Sequence, residues 1–150
     1  MKLVKKLLLV CSCTILCLLL TTNINVFEAK MPVVKIGDRT VKLEVADTPS
    51  KIERGLMFRT SLDQDSGMVF LFNPPRKVRF WMFNCLMPLD MIFTKDGKIV
   101  KIEASVPACQ SKDPRECPTY PKKPVMVDKV IEVNAGYCKK HGIKEGDTVE

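Results

Sequence analysis

Leu89-Asp90-Met91-Ile92-Phe93-Thr94-Lys95-Asp96-Gly97-Lys98-Ile99-Val100-Lys101-Ile102-Glu103-Ala104 carries the strongest short-range folding signal in the chain. Two apolar runs flank Asp96-Gly97, the kind of pair a two-residue hairpin turn demands, because both of its central positions need positive φ. They predict an antiparallel hairpin, Leu89–Lys95 with Lys98–Ala104.

Working outward, strand patterns dominate. Val41, Leu43 and Val45 alternate with Lys42, Glu44 and Ala46, the period-two signature of a half-buried strand. Thr48 suits an N-cap and Pro49 the first turn of a short helix on which Ile52 and Leu56 share a face. Gly67–Phe72 and Val78–Asn84 are dense apolar runs separated by Asn73-Pro74-Pro75, a turn signal. On the second run Phe80 and Met82 point one way and Trp81 and Phe83 the other, so it reads as a central strand covered on both faces. Val125–Val133 reads as a further strand. Asn134 then suits the N-cap of a second short helix, whose far end Lys139, Lys140 and His141 complement by charge before Gly142 stops it. A short last strand is expected around Thr148. No helix alternates regularly with the strands, so the expected fold is mainly β, an antiparallel sandwich or partly open barrel with two short helices.

Pro107–Pro124 breaks this regularity with five prolines and two cysteines, and reads as a long loop of the functional or disordered kind. Cys109 and Cys117 suit a disulfide if the chain reaches an oxidising compartment, stabilising by about 2.5 kcal/mol. A metal or redox pair is the sharper alternative, although no CxxC occurs. Cys85 and Cys138 either pair with each other or remain buried thiols.

The compartment is read from residues 1–30. Lys2, Lys5 and Lys6 precede an apolar run from Leu7 to Leu20 and a polar stretch from Thr21 to Lys30, the order of a secretory signal. The run is shorter than the ~20 residues of a membrane span, so cleavage after Ala29 and export to the periplasm or beyond are expected. An uncleaved anchor through residues 7–27 is the alternative, and Cys11, Cys13 and Cys17 read as apolar filler. Residues 31–150 suffice for one domain, expected to be a monomer. Removing residues 1–30 takes four of the 24 Lys and Arg and one of the 17 Asp and Glu, which leaves 20 and 16, a net charge of +4. Basic clusters at Arg76-Lys77-Val78-Arg79, Lys122-Lys123 and Lys139-Lys140-His141 are scattered, and no nucleic-acid motif accompanies them, so nucleic acid is not an expected partner.

Four blocks place polar groups inside apolar stretches: Arg54-Gly55-Leu56-Met57-Phe58-Arg59, Phe80-Trp81-Met82-Phe83-Asn84, Pro88-Leu89-Asp90 and Glu132-Val133-Asn134-Ala135-Gly136. None matches a phosphate loop, zinc cluster or nucleophile triad. In order and spacing they resemble the domain-of-unknown-function family DUF192, small and often exported prokaryotic proteins. The resemblance spans roughly Val41 to Thr148 and includes Val106-Pro107-Ala108-Cys109 and Cys117-Pro118-Thr119-Tyr120. It implies a compact, mainly β domain and imports no reaction. The chain departs from the family pattern at Cys85, where a Thr commonly follows the Asn, and at Phe83, where a charged residue is common.

The candidate site draws on these blocks. Asp90 and Glu132 each sit at the mouth of an apolar strand, and Arg54 and Arg59 offer planar forks for either carboxylate or for a ligand's. One expectation is a purely structural network in which Arg54 or Arg59 braces Asp90 or Glu132, with Asn84 holding a bent backbone. The other lines the same groups, with Trp81 and Tyr120, along a pocket under the proline loop suited to a sugar or another small polar ligand. A non-catalytic binding or accessory module without cofactor or resident metal is preferred to a hydrolase using Asp90 and Glu132 as acid and base. Soft-metal handling of Cu(I) by Met57, Met68, Met82, Cys85, Met87 and Met91 is a third reading, against which core filling is favoured.

Overall fold

The computed structural model describes residues 31–150. The chain runs β1 (Val33–Ile36), β2 (Arg39–Ala46), α1 (Pro49–Arg54), β3 (Ser66–Trp81), β4 (Leu89–Lys95), β5 (Lys98–Val106), a single 3-10 turn (Pro114–Glu116), β6 (Thr119–Asn134) and α2 (Tyr137–His141). The expected signal segment or anchor lies outside the described residues. The hairpin forms as predicted: Lys95 faces Lys98 across β4 and β5, and Asp96 and Gly97 take φ of 51° and 73°.

The six strands form one sheet in the order β1-β2-β3-β6-β4-β5. All neighbours are antiparallel except β2 and β3, which run parallel and are joined through α1. The fold is therefore mainly β with two short helices, and of the two expected forms it is the partly open barrel. The C-terminal segment grips both edge strands. Lys35 N–H donates to the Glu150 carbonyl at 2.7 Å, and Ile99 N–H to the Asp147 carbonyl at 2.9 Å. The last strand expected near Thr148 is thus two isolated bridges, Ile36 with Val149 and Lys98 with Thr148, which curl the sheet into a half-barrel.

β3 and β6 form the spine, and both correct the sequence reading. Asn73-Pro74-Pro75 does not end a strand: β3 continues through it, as β6 continues through Pro121 and Pro124. The register of the pair shifts between Leu71 and Arg76 and again between Val78 and Phe80, and these prolines fall in the shifted stretches. Proline lacks an N–H, so it is tolerated where the ladder is already interrupted. The long loop expected over Pro107–Pro124 shrinks accordingly, since Thr119 already belongs to β6. Cys109 and Cys117 close what remains as a disulfide, with Cα atoms 5.7 Å apart. At Gly67 a Cβ would collide with the backbone carbonyl of Glu132 across the spine.

Each face of the sheet carries its own core. One gathers Leu56, Phe70, Phe72, Met82, Cys85, Met91 and Phe93 beneath α1 and the turn after β3. The other gathers Ile36, Leu43, Ile92, Ile131 and Val133 beneath Tyr137, Cys138 and Ile143. Cys85 and Cys138 are both free and buried, and they belong to opposite cores, which excludes a disulfide between them. Burial, reinforced by Glu132 near Cys85 and by Asp90 near Cys138, pushes each thiol up to about 12.

α1 starts as predicted, with the Thr48 hydroxyl accepting from Lys51 N–H at 3.4 Å and Pro49 in the first turn. α2 does not. Asn134 is no cap: its side-chain amide donates to the carbonyls of Leu62 and Asp63 at 3.1 and 3.0 Å, while Gly136 occupies the N-cap without a side-chain bond. His141 is in the last turn, as expected, but desolvation holds its pKa below the usual value, so at neutral pH it contributes little charge to the helix end.

Candidate functional site

Asp90 supplies the cap that Asn134 does not. Its carboxylate is 0% exposed and accepts three backbone N–H bonds: from Ser105 at 2.7 Å, Gly136 at 2.9 Å and Cys138 at 2.8 Å. The first donor is aimed by a bulge. Leu89 pairs with Val106 and Met91 with Glu103, so Asp90 alone faces Ala104 and Ser105, and Ser105 takes a φ of 50°. Asp90 is therefore a structural clamp between β5 and α2, with both oxygens engaged.

Glu132 lies on the adjacent strand but on the other face. Asp90 pairs with Val133, which belongs to the core under α2, and Met91 pairs with Glu132 on the side of α1. The sheet thus separates the two carboxyls, and the expected acid and base pair does not form. Glu132 is 4% exposed, and among the described residues no hydrogen bond reaches its carboxyl. The sheet register explains this isolation. Glu44, Met68, Glu132, Met91 and Glu103 form a row across β2, β3, β6, β4 and β5, so the immediate flanks of Glu132 are thioethers with nothing to donate. Burial pushes its pKa up to about 8, and at neutral pH it is mostly a neutral acid, a hydrogen-bond donor.

The arginines do not brace either carboxyl, which overturns the expected network. Arg59 pairs with Glu44, its two terminal nitrogens each donating to one carboxylate oxygen, Nη2 to Oε2 at 2.6 Å. Arg54 is exposed and has no carboxylate partner among the described residues. Asn84 takes a φ of 56°, its carbonyl accepts from Phe58 N–H at 2.8 Å, and its side-chain amide points at the Met57 sulfur, 4.0 Å away. It fastens the turn after β3 to the chain following α1.

Glu132 lies at the floor of a cavity of about 340 Å³ between α1, β3 and the turn after β3. Its walls are Ile52, Leu56, Met57, Phe70, Phe72, Phe80 and Cys85, and its rim carries Arg54, Arg76, Lys77, Arg79, Trp81 and Phe83. Phe80 anchors the wall by edge-to-face packing on Phe70 and Phe93, with centroids 4.9 and 6.0 Å away. Trp81, still 37% exposed, leans on Phe83 at 5.6 Å. Gly55 lets the chain turn against this wall: its φ is 45°, and a Cβ would lie 3.1 Å from the Phe70 ring.

Of the seven expected site residues, the structure brings Arg54, Trp81 and Glu132 together in this cavity and places Asn84 just behind it. Arg59 and Asp90 serve elsewhere, and Tyr120 lines a separate hollow with Lys101, Glu103, Lys122, Lys123 and Val125. Sequence reasoning missed Phe70, Phe72, Cys85 and Arg76. The signal was present in part, since Cys85 is a departure from the family pattern and Arg76 opens a basic cluster. Among the described residues no group of three or more His, Cys, Asp or Glu could hold a metal ion.

The chain belongs to the DUF192 family, described as uncharacterized ACR, whose model matches residues 32–150. It is similar to a solved protein of unknown function from Novosphingobium aromaticivorans DSM 12444, at 33% identity over 80% of this chain and 84% of that one, with a TM-score of 0.70. It is also similar to a Sinorhizobium meliloti 1021 protein proposed to be a transcription regulator, at 35% identity over 82% of this chain and 96% of that one, with a TM-score of 0.67. No functionally curated protein matches the chain.

Proposed function

We propose that this protein is an exported, non-catalytic binding module that takes a small ligand, with an apolar body and one polar group, into the cavity above Glu132. The observation that carries this reading is the Glu132 carboxyl itself, 4% exposed, without a hydrogen-bond partner among the described residues, and opening onto the floor of a preformed cavity with apolar walls. A carboxyl that is nearly buried and makes no bond within the fold, yet opens onto a cavity, favours a use outside the fold. A ligand acceptor in the cavity would satisfy it. Export is supported by the basic, apolar and polar order of residues 1–30 and by the Cys109–Cys117 disulfide.

A sugar is the weaker version of this reading, because the cavity walls are aromatic and aliphatic, and Asn84, Asp90 and Tyr120 of the expected sugar-binding set do not line them. Hydrolysis by Asp90 and Glu132 has no support across the sheet. Soft-metal binding is disfavoured because Met68, Met82, Cys85, Met87 and Met91 are packed as side chains of the core beneath α1. The regulator role proposed for the Sinorhizobium relative is not carried over, since the described helices, Pro49–Arg54 and Tyr137–His141, are too short to read a groove.

Thermal-shift screening of a small-molecule library against the wild type, Glu132→Leu and Tyr120→Ala tests the proposal. Ligands of this site should stabilise the wild type and Tyr120→Ala alike and bind Glu132→Leu at least about tenfold more weakly. Hits indifferent to Glu132 and lost in Tyr120→Ala would move the site to the other hollow and end this reading.

A further inference from the structure

The chain has six arginines, and they divide cleanly. Arg39, Arg59 and Arg115 are each paired with a carboxylate, Asp65, Glu44 and Asp113 respectively. Arg54, Arg76 and Arg79 have no carboxylate partner among the described residues, and all three line the cavity above Glu132, as does the equally unpaired Lys77. Arg76 is held there by stacking over the Phe72 ring, 4.6 Å from its centroid. Against these four cations the cavity's mouth offers one carboxylate, Glu53.

Building on the proposed binding role, we infer that the ligand is a small organic acid with an anionic head, an apolar or aromatic body and a hydrogen-bond acceptor at its inner end. The head sits among Arg54, Arg76, Lys77 and Arg79, where guanidinium forks match a carboxylate. The body fills the space between Leu56, Phe70 and Phe80. The inner acceptor takes the proton of Glu132. A cation fits badly, because it must pass four like charges and ionise a buried acid to gain a partner. The order of charges from mouth to floor is the selectivity device: positive, apolar, then a neutral donor.

Ionisation of Glu132 bears on the same site. As pH rises past about 8 the carboxyl loses its proton, and with it the donor, and places a negative charge in the cavity. The ionisable groups facing it are Glu53 and Arg54 at the end of α1, Arg76, Lys77 and Arg79 on β3, and Cys85, which stays a thiol up to about 12. Affinity for an acid therefore falls across this range.

Titration calorimetry with the full-length chain can use matched acid, amide and amine probes built on phenylacetyl, para-hydroxyphenylacetyl and octanoyl bodies. The acids are expected to bind about tenfold or more tighter than the amides at low salt, and the amines weakest. The double variant Arg54→Gln/Arg76→Gln, at two exposed positions, should narrow the preference for acid over amide, with Lys77 and Arg79 still at the mouth. Equal binding of acid and amide, or tightest binding of the amines, with Glu132→Leu still weakening them, would overturn the organic-acid inference and leave the cavity reading standing. Failure of every probe would overturn both. Flotation with phosphatidylglycerol vesicles in place of any free-acid binding would replace the inferred ligand with a membrane surface.

Discussion

Asp90 and Glu132 are neighbours across the β4–β6 ladder, one step out of register, both carboxylic acids and both buried, and their surroundings are opposite. Asp90 faces a bulge and a helix start, the two local geometries that turn backbone N–H groups toward one point, and it collects three of them. Glu132 faces a flat stretch of sheet whose N–H groups are spent on the ladder and whose side chains are methionines. A one-residue shift along a strand, which exchanges the two faces, therefore decides between a structural clamp and an unsatisfied acid. Burial alone says nothing about which of the two a carboxyl becomes.

The comparison breaks most severely at Asp90. Asp90→Ala should cost about 4 kcal/mol in urea unfolding, because three donors lose a charged acceptor inside the protein. The loss should be local at first: the amides of Ser105, Gly136 and Cys138 should exchange faster with solvent, and Cys138 should become reactive to thiol reagents before Cys85 does. Equal exposure of both thiols would show that the two faces do not behave separately.

Glu132 should respond with the opposite sign. Below its ordinary value of 4.5 the carboxyl is protonated in both folded and unfolded chains; between that and about 8 only the unfolded chain ionises, so rising pH favours unfolding, and above about 8 the slope from this group ends. Glu132→Gln should flatten that slope and raise stability at neutral pH by about 3 kcal/mol, less whatever the buried amide itself costs. Parallel pH profiles for wild type and variant would mean that Glu132 has a partner after all.

Reduction of the Cys109–Cys117 bridge should cost about 2.5 kcal/mol, through the freed loop. Cys109 and Cys85 both donate their N–H to the Met82 carbonyl, at 3.2 Å each, so this loss should loosen the cavity side and leave the Asp90 clamp protected in hydrogen exchange. The smallest change belongs to the half-exposed pair of Arg59 and Glu44, where Arg59→Gln should cost about 1 kcal/mol in the same unfolding measurement and leave ligand binding unchanged.

What was legible in the sequence was local. Asp96-Gly97, Thr48-Pro49 and the alternation of Val41, Leu43 and Val45 each carry their own geometry, and each was read correctly. Asn73-Pro74-Pro75 and Pro121–Pro124 misled, because a proline reports a missing ladder bond without reporting whether the strand ends or bulges. The site was half legible for a related reason. Glu132, Arg54 and Trp81 stand out as polar or aromatic residues in apolar blocks, but the face each one takes depends on the pairing of β6 between β3 and β4, a long-range fact. Asn134 looked like a cap by type, and Asp90, far away in sequence, took that role by position.

That placement of β6 has a consequence for how the molecule comes into being. The last of the six described strands fills the centre of the sheet, and the residues that follow it clasp the outermost strands together. A ribosome that has released only the first five strands has delivered two separate halves with an empty slot between them, and neither half holds Asp90's helix or Glu132's cavity. Assembly must therefore wait for β6 and the segment that follows it and then proceed nearly all at once, slowed by the long loops that must close. A chain truncated before Val125 would not be a damaged version of this protein but an unfolded one.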